Sequence, residues 1–154
     1  MPDMQRPPVP GLIDVYPLRF TQRALFGDVD SHHHLNNIAI CRFFEEGRAQ
    51  LRRLIFGAGE SGGASPIRVV LACITLHYLR EGRYPGDVTI YTGITRLGNS
   101  SFTLAQLAIQ DQVPIANAES VMVKISDDGP VSLVEGEREA MAPLVMSRAH
   151  PSEI

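Results

Sequence analysis

The chain has 154 residues, of which 44% are hydrophobic and 20% charged, and its formal net charge is −3. This length suits a single domain with a hydrophobic core, and so high a hydrophobic fraction excludes a disordered chain. No apolar run approaches the roughly 18 residues of a membrane-spanning helix, and the slightly acidic balance argues against nucleic acid as the partner.

The N-terminal segment and the cysteines favour a cytoplasmic protein. Residues 1–11 are polar and rich in proline, without the apolar stretch of a signal peptide, so we expect a flexible arm. Cys41 and Cys73 are isolated from one another, and two such cysteines make neither a disulfide framework nor a zinc site.

The first predicted elements are a strand and a long helix. Apolar and polar residues alternate over residues 18–21, as in a half-buried strand. From Asn37 to Phe56, apolar residues recur at intervals of three and four and form one helical stripe. Asn36 or Asn37 can cap the start of this helix, and Gly57 can follow its last turn.

The rest of the chain predicts strands joined by short turns. Residues 69–79 form a long, almost continuously apolar run, and further strands are predicted at 88–97, 102–109 and 115–125. The connections are rich in turn residues, notably the Tyr-Pro-Gly-Asp sequence at 84–87. Such connections predict an antiparallel meander, followed by a short terminal helix over residues 135–144.

Together these elements predict an α+β fold in which one antiparallel sheet wraps around one long central helix. The unfavourable Gly47 inside the helix is then explained by a close approach to the sheet. The outer face of the sheet should be wet or covered by another subunit. We expect the domain to span residues 12–145, with a flexible tail at 146–154.

Two motifs resemble binding sites but do not fit them. Residues 57–62 satisfy G-x-G-x-x-G, yet they follow a helix and precede a strand, the reverse of the order in dinucleotide-binding folds. His32, His33 and His34 are adjacent in a turn and cannot all point at one ion, so we predict no metal site.

The segment from Asp30 to the start of the helix carries groups suited to acyl transfer. A carboxylate can attack a carbonyl or activate a water, and the unpaired N–H groups of a helix N-terminus can stabilise an oxyanion. Asp and Asn are also common caps of turns and helices, and on physical grounds alone capping is the commoner role.

A resemblance to a known family adds to this interpretation. Asp30, the block His-Leu-Asn-Asn at 34–37 and Phe-Phe-Glu-Glu-Gly-Arg at 43–48 resemble the hot-dog-fold acyl-CoA thioesterases of the 4-hydroxybenzoyl-CoA thioesterase type. The resemblance extends over residues 14–126 and includes the turn at 84–87. It implies a hot-dog fold and hydrolysis of an acyl-CoA or related thioester, with coenzyme A as part of the substrate and no separate cofactor. It also implies a homodimer or homotetramer with the acyl site between subunits.

The same resemblance implies roles for individual residues. Asp30 matches the nucleophile or general base, and the backbone N–H near Asn37 matches the group that polarises the thioester carbonyl. His34 is expected to position the substrate or the loop. Asn36 is expected to shape the turn, cap the helix and contribute to substrate binding.

Two positions depart from the family pattern. His33 stands where the family has glycine, and Gly98-Asn99 replaces basic residues that hold coenzyme A phosphates in some members. Arg68 and Arg96 are therefore our candidate substrate-binding cations, with Lys124 as a third, although each also fits a solvated strand residue.

The helix residues next to this motif have a simpler interpretation. Glu45 and Arg48 have the i, i+3 spacing of a solvated ion pair, although Glu45 or Glu46 could face the pocket. Cys41, Phe43 and Phe44 are expected in the core or an interface rather than in contact with substrate.

Two alternative functions stay open. A hot-dog enoyl-CoA hydratase usually pairs Asp and His beside Asn-Pro, and here no proline follows Asn36-Asn37. A non-catalytic protein that binds an acyl ligand on the same scaffold is the second alternative.

Overall fold

The computed structural model describes residues 13–57 and 67–146. Its strands are β1 (Leu18–Arg23), β2 (Arg68–Tyr78), β3 (Asp87–Leu97), β4 (Ser101–Gln110), β5 (Val113–Ser126) and β6 (Gly129–Pro130). Its α-helices are α1 (Asn37–Phe56) and α2 (Glu135–Met141), with 3-10 turns at Phe26–Asp28 and Ala142–Leu144. The predicted arm at 1–11 and most of the glycine loop and of the tail lie outside the described residues.

The strands form one antiparallel sheet in the order β1-β3-β4-β5-β2, with β6 paired to β5. The predicted α+β fold is confirmed, and the meander is correct for β3 to β5. It is wrong for β2, which pairs with β5 at the edge rather than with β3. The eight-residue connection 79–86 can span about 26 Å, more than the three strand spacings of about 14 Å that it crosses.

Helix α1 packs across the inner face of this sheet. Asn36 caps it by accepting a hydrogen bond from the Ala39 N–H at 2.7 Å, and Gly57 follows its last turn with a φ of 81°. A Cβ atom on Gly47 would lie 2.8 Å from Gln106 Nε2 and 3.0 Å from Ile90 Cγ2. The close approach that Gly47 predicted is therefore confirmed. No helix in the described part of the chain is long and apolar enough to cross a membrane.

Parts of the outer face of the sheet are covered by the chain itself. The Tyr16 and Tyr91 rings are 6.1 Å apart, and the Met146 side chain packs on Gly93, where an added Cβ atom would clash with it. Leu107, which faces this layer, is 1% exposed. We expected water or another subunit on this outer face, but flanking segments of the same chain also pack there. Met146, expected in a flexible tail, is itself buried.

Two charged residues expected on solvated faces are buried instead. Lys124 is 4% exposed, and its buried charge is compensated by Glu137 on α2, whose two carboxylate oxygens lie 2.7 and 2.8 Å from Lys124 Nζ. Arg48 is 7% exposed and donates to Gln106 Oε1 at 3.3 Å between α1 and the sheet, and burial lowers its pKa. Lys124 is therefore not free to bind a substrate phosphate, and Arg48 does not lie on a solvated face. Phe43 and Phe44 are fully buried as expected, whereas Cys41 is exposed.

Candidate active site

A cavity of about 530 Å³ lies at the N-terminal end of α1. It contains three of the predicted site residues, Asp30, His34 and Asn37. The sequence did not single out Tyr78 or the loop after it, which form much of the opposite wall. The full lining consists of Asp30, His32, His34, Leu35, Asn37, Ile40, Tyr78, Leu79, Arg80, Glu81 and Gly82.

The Asp30 carboxylate is held by the backbone of its own turn. Its Oδ1 accepts hydrogen bonds from the N–H groups of His32 at 2.8 Å and His34 at 3.2 Å. These two bonds lower the pKa of the fully exposed Asp30 carboxyl. Asp30 therefore caps a turn and also presents an ionised carboxylate at the cavity.

His33 adopts a backbone conformation that favours glycine. Its φ is 62°, and its side chain is exposed. The family glycine at this position is thus replaced without loss of the left-handed turn, at an expected cost of about 1 kcal/mol because a Cβ crowds the backbone there.

Replacing His33 tests this cost. We expect His33→Gly to raise the free energy of unfolding by up to about 1 kcal/mol, and His33→Val to lower it by about 1–2 kcal/mol, because β-branched residues are least tolerated at positive φ. Urea denaturation of both variants measures the difference. Identical stabilities for the two variants would show that the turn relaxes to another conformation.

The helix N-terminus presents N–H groups beside this turn. The Asn36 side chain accepts a hydrogen bond from the Ala39 N–H, and the Asn36 carbonyl accepts one from the Ile40 N–H at 3.3 Å. Within the described residues, the Asn37 N–H has no hydrogen-bond acceptor. Together with the helix dipole, it can stabilise negative charge on a bound oxygen atom. Asn36 acts as the cap and does not line the cavity.

His34 connects the turn to the loop after β2. Its Nε2 lies 3.1 Å from Glu81 Oε2, and its backbone forms an isolated bridge with Arg83. The Leu35 N–H donates to the Gly82 carbonyl at 2.8 Å. These contacts join the two walls of the cavity, and the positioning role of His34 stays a prediction.

Tyr78 is a cavity residue that the sequence alone did not reveal. Its hydroxyl donates to the Asn37 carbonyl at 3.4 Å and lies 3.6 Å from Cys41 Sγ. Desolvation and the Cys41 contact raise the pKa of Tyr78 to about 12, so the hydroxyl keeps its proton and can donate. One sequence feature could have indicated this residue: Tyr78 carries a hydroxyl group at the end of the apolar run, just before the charged Arg80 and Glu81.

Arg68 and Arg96 lie away from this cavity within one chain. Arg68 begins β2 and binds Asp127 at 2.9 Å, whereas Tyr78 ends the same strand about 33 Å away. Arg96 is exposed and pairs with Thr103 near the start of β4, in the row of the sheet that crosses β2 at Cys73, five residues before Tyr78. The two predicted cations and Asp30 are therefore not brought together by the fold of a single chain.

The arrangement fits attack on a carbonyl carbon. An ionised carboxylate and a helix N-terminus line one cavity, so a nucleophile and an electrophilic donor are available to the same ligand. Within residues 13–57 and 67–146, no group of three or more His, Cys, Asp or Glu side chains is placed to hold a metal ion.

Solved structures share this fold. PA5185 from Pseudomonas aeruginosa strain PAO1 is 22% identical, with a TM-score of 0.79 over 90% of this chain and 98% of its own. A predicted thioesterase from Bacillus stearothermophilus is 27% identical, with a TM-score of 0.74 over 86% of this chain and 100% of its own. A thioesterase from Thermus thermophilus, complexed with coenzyme A and Zn, is 24% identical, with a TM-score of 0.75 over 85% of this chain and 96% of its own.

The sequence comparison assigns the family. No curated protein matches the chain. The model of the thioesterase-like superfamily matches residues 24–136, which include the turn, α1 and the strands that form the cavity. The resemblance to hot-dog thioesterases is confirmed, and the protein belongs to the thioesterase-like superfamily.

Proposed function

We propose that this protein hydrolyses an acyl-CoA or a related acyl thioester. The thioester C–S bond breaks, water supplies a hydroxyl group to the acyl carbon, and the products are a carboxylic acid and a thiol. The observation that carries this proposal is the single cavity that joins the Asp30 carboxylate to the N-terminus of α1.

Each group has a separate role in the proposed reaction. Asp30 attacks the thioester carbon, or it activates the water that does so. The N–H near Asn37 stabilises the developing oxyanion, and a donor of this type contributes about 2.7–4 kcal/mol in other enzymes. His34 positions the turn through Glu81. These steps require no cofactor besides the coenzyme A of the substrate.

The family and one structural neighbour support the choice of substrate. Thioester hydrolysis is the activity for which the superfamily is named. The Thermus thermophilus thioesterase binds coenzyme A. We accordingly propose a small-molecule acyl-CoA substrate and a cytoplasmic location.

A panel of aliphatic and aromatic acyl-CoA thioesters tests the activity. Release of free thiol from at least one of them is the expected result, with the matching carboxylic acid as the second product. Hydration of an enoyl-CoA without thiol release would favour the hydratase alternative. Binding of acyl-CoA with no turnover of any member would favour a non-catalytic protein.

We further propose that the protein forms a homodimer, or a tetramer built from it, through the free edge of β2. This 11-residue strand pairs with β5 on one side only, and no other described strand covers its second side. Its exposed apolar residues include Leu71, Ile74 and Tyr78, with 38–46% of their surfaces accessible. A long edge of this kind is a template for pairing with another chain. A second copy there would also approach the cavity, because Tyr78 lies at the end of β2.

Substituting the middle of this edge tests the assembly. We expect Ile74→Lys to shift the protein from dimer or tetramer to monomer, because two copies of the new charge would be brought together at the edge. Light scattering after size-exclusion chromatography measures the mass. Leu54→Lys is the matched control, since Leu54 is an exposed aliphatic residue on α1, and it should leave the mass unchanged. A wild-type monomer at micromolar concentration would contradict the proposal.

A further inference from the structure

A second recess adjoins the Asp30 cavity. It has a volume of about 500 Å³ and shares Arg80 and Glu81 with the first cavity. We call it the outer recess, and its lining consists of Arg80, Glu81, Arg83, Gln110, Asp111, Val113 and Ile115. Because Arg80 and Glu81 line both, a ligand beside Asp30 that extends past these two side chains enters the outer recess.

The backbone under the two arginines is held firmly. Gln110 is 5% exposed, and its side chain accepts from the Arg83 N–H at 2.7 Å and donates to the Arg83 carbonyl at 2.8 Å. The Arg80 N–H donates to the Ile115 carbonyl at 3.1 Å. Both side chains thus start from fixed positions, so less conformational freedom is lost when they bind a ligand.

The charges of the outer recess leave both guanidinium groups available. Within residues 13–57 and 67–146, no carboxylate lies within ion-pairing distance of the Arg80 or Arg83 side chain. Of the two carboxylates in the recess, Glu81 is in contact with His34, and Asp111 accepts no hydrogen bond from either arginine. Ten N–H donors on two planar groups match the geometry of phosphate oxygens.

We propose that Arg80 and Arg83 bind the phosphate groups of coenzyme A while the acyl thioester lies beside Asp30. This inference rests on the proposed function for the identity of the ligand. It supplies cations that Arg68 and Arg96 cannot provide within one chain. A local pair of cations is also enough for a protein with a formal net charge of −3 to bind an anionic substrate.

The test compares one acyl group on two thiols. The substrates are the best acyl-CoA of the panel and the N-acetylcysteamine thioester of the same acid, which lacks every phosphate. We expect the Arg80→Ala/Arg83→Ala variant to raise KM for the acyl-CoA by about tenfold or more, while the phosphate-free substrate changes by less than about twofold. Added salt should raise the wild-type KM for the acyl-CoA and affect the double variant less.

Two further variants sharpen the test. Arg19→Ala is the matched control, because it removes one exposed arginine from β1 at the other edge of the sheet, and it should leave both KM values unchanged. Asp111→Asn should lower KM for the acyl-CoA only, because a negative charge leaves the outer recess. An unchanged KM in the double variant, or a rise with Arg68→Ala or Arg96→Ala instead, would overturn the assignment.

A binding measurement separates this inference from the hydrolase proposal. Calorimetric titration with free coenzyme A should give a Kd at least about tenfold weaker for the double variant than for the wild type. Wild-type binding that depends on the arginines, without hydrolysis of any thioester, would refute the hydrolase proposal alone. Hydrolysis that is indifferent to both arginines would refute the phosphate site alone.

Discussion

Asp30→Asn is expected to lower kcat for thioester hydrolysis by about 10²- to 10⁴-fold. The amide oxygen can still accept the hydrogen bonds that the His32 and His34 N–H groups now donate to Asp30 Oδ1. The turn should therefore persist while the nucleophile or base is lost. Steady-state kinetics and thermal unfolding of the same samples separate the two effects.

Asp127→Asn provides the matched control for this substitution. It neutralises another exposed carboxylate, which pairs with Arg68 at the far end of the sheet, and it should keep full activity. A folded Asp30→Asn variant with wild-type kcat would show that Asp30 only caps its turn.

The pH dependence of the rate provides a second readout for Asp30. Because two backbone N–H groups lower its pKa, the carboxylate is ionised through the neutral range and activity should fall only below the usual Asp range. Because the pKa of Asp30 is lower in the folded than in the unfolded protein, the ionised carboxylate stabilises the fold. This stabilisation is complete above the unfolded-state pKa and is lost as the pH falls through the lower folded-state pKa. Asp30→Glu, whose longer side chain cannot keep both bonds, should move the acidic limb of kcat/KM to higher pH. If the acidic limb of kcat/KM lies at the same pH in this variant, the titration of another group causes it.

Glu137→Gln is expected to have the largest effect on stability, lowering the free energy of unfolding by about 3 kcal/mol. The Lys124 side chain is 5% exposed and the Glu137 side chain 17% exposed, so the substitution leaves a buried ammonium without its counter-charge. Glutamine retains an oxygen for the Val134 N–H, which now donates to Glu137 Oε2 at 2.9 Å, so the start of α2 stays capped. Urea denaturation followed by circular dichroism measures the loss.

A second substitution distinguishes the buried charge from general disruption of α2. Lys124→Met added to Glu137→Gln should recover at least half of the lost stability, because methionine fills the space without a charge. Asp87→Asn breaks the exposed pair with Arg23, in which the side chains are 55% and 82% accessible, and should change stability by less than about 0.5 kcal/mol. Equal effects of Glu137→Gln and Asp87→Asn would contradict the assigned role of burial.

Local patterns predicted the elements of the fold well. The stripe of α1, its Asn36 cap and the glycine after its last turn are all short-range features, and the helix spans Asn37–Phe56 as expected. The five predicted strands were correct to within two residues at each end because their alternation and turns are also local, whereas the two-residue β6 was not predicted. The pairing of β2 with β5 was missed, since partners distant in sequence depend on how the connection 79–86 crosses the strand ends.

In the candidate site, too, the residues close in sequence could be predicted and those distant in sequence could not. Asp30, His34 and Asn37 lie within eight residues, so their proximity could be predicted from the chain itself. Tyr78, Arg80 and Glu81 reach the same cavity only through the edge position of β2 and the path of the loop after it. Lys124 appeared solvated in a strand pattern because its counter-charge, Glu137, comes from a later helix.

By itself the sequence determined one long helix against one antiparallel sheet, and a carboxylate placed before the N-terminus of that helix. Those properties follow from spacing, turn chemistry and composition, all of which act over a few residues. Only the tertiary structure decided which charges are buried, which two strands form the edges of the sheet, and which arginines lie beside the cavity. The reason is physical: burial, ion pairing and the walls of a cavity depend on contacts between residues that chain order leaves far apart.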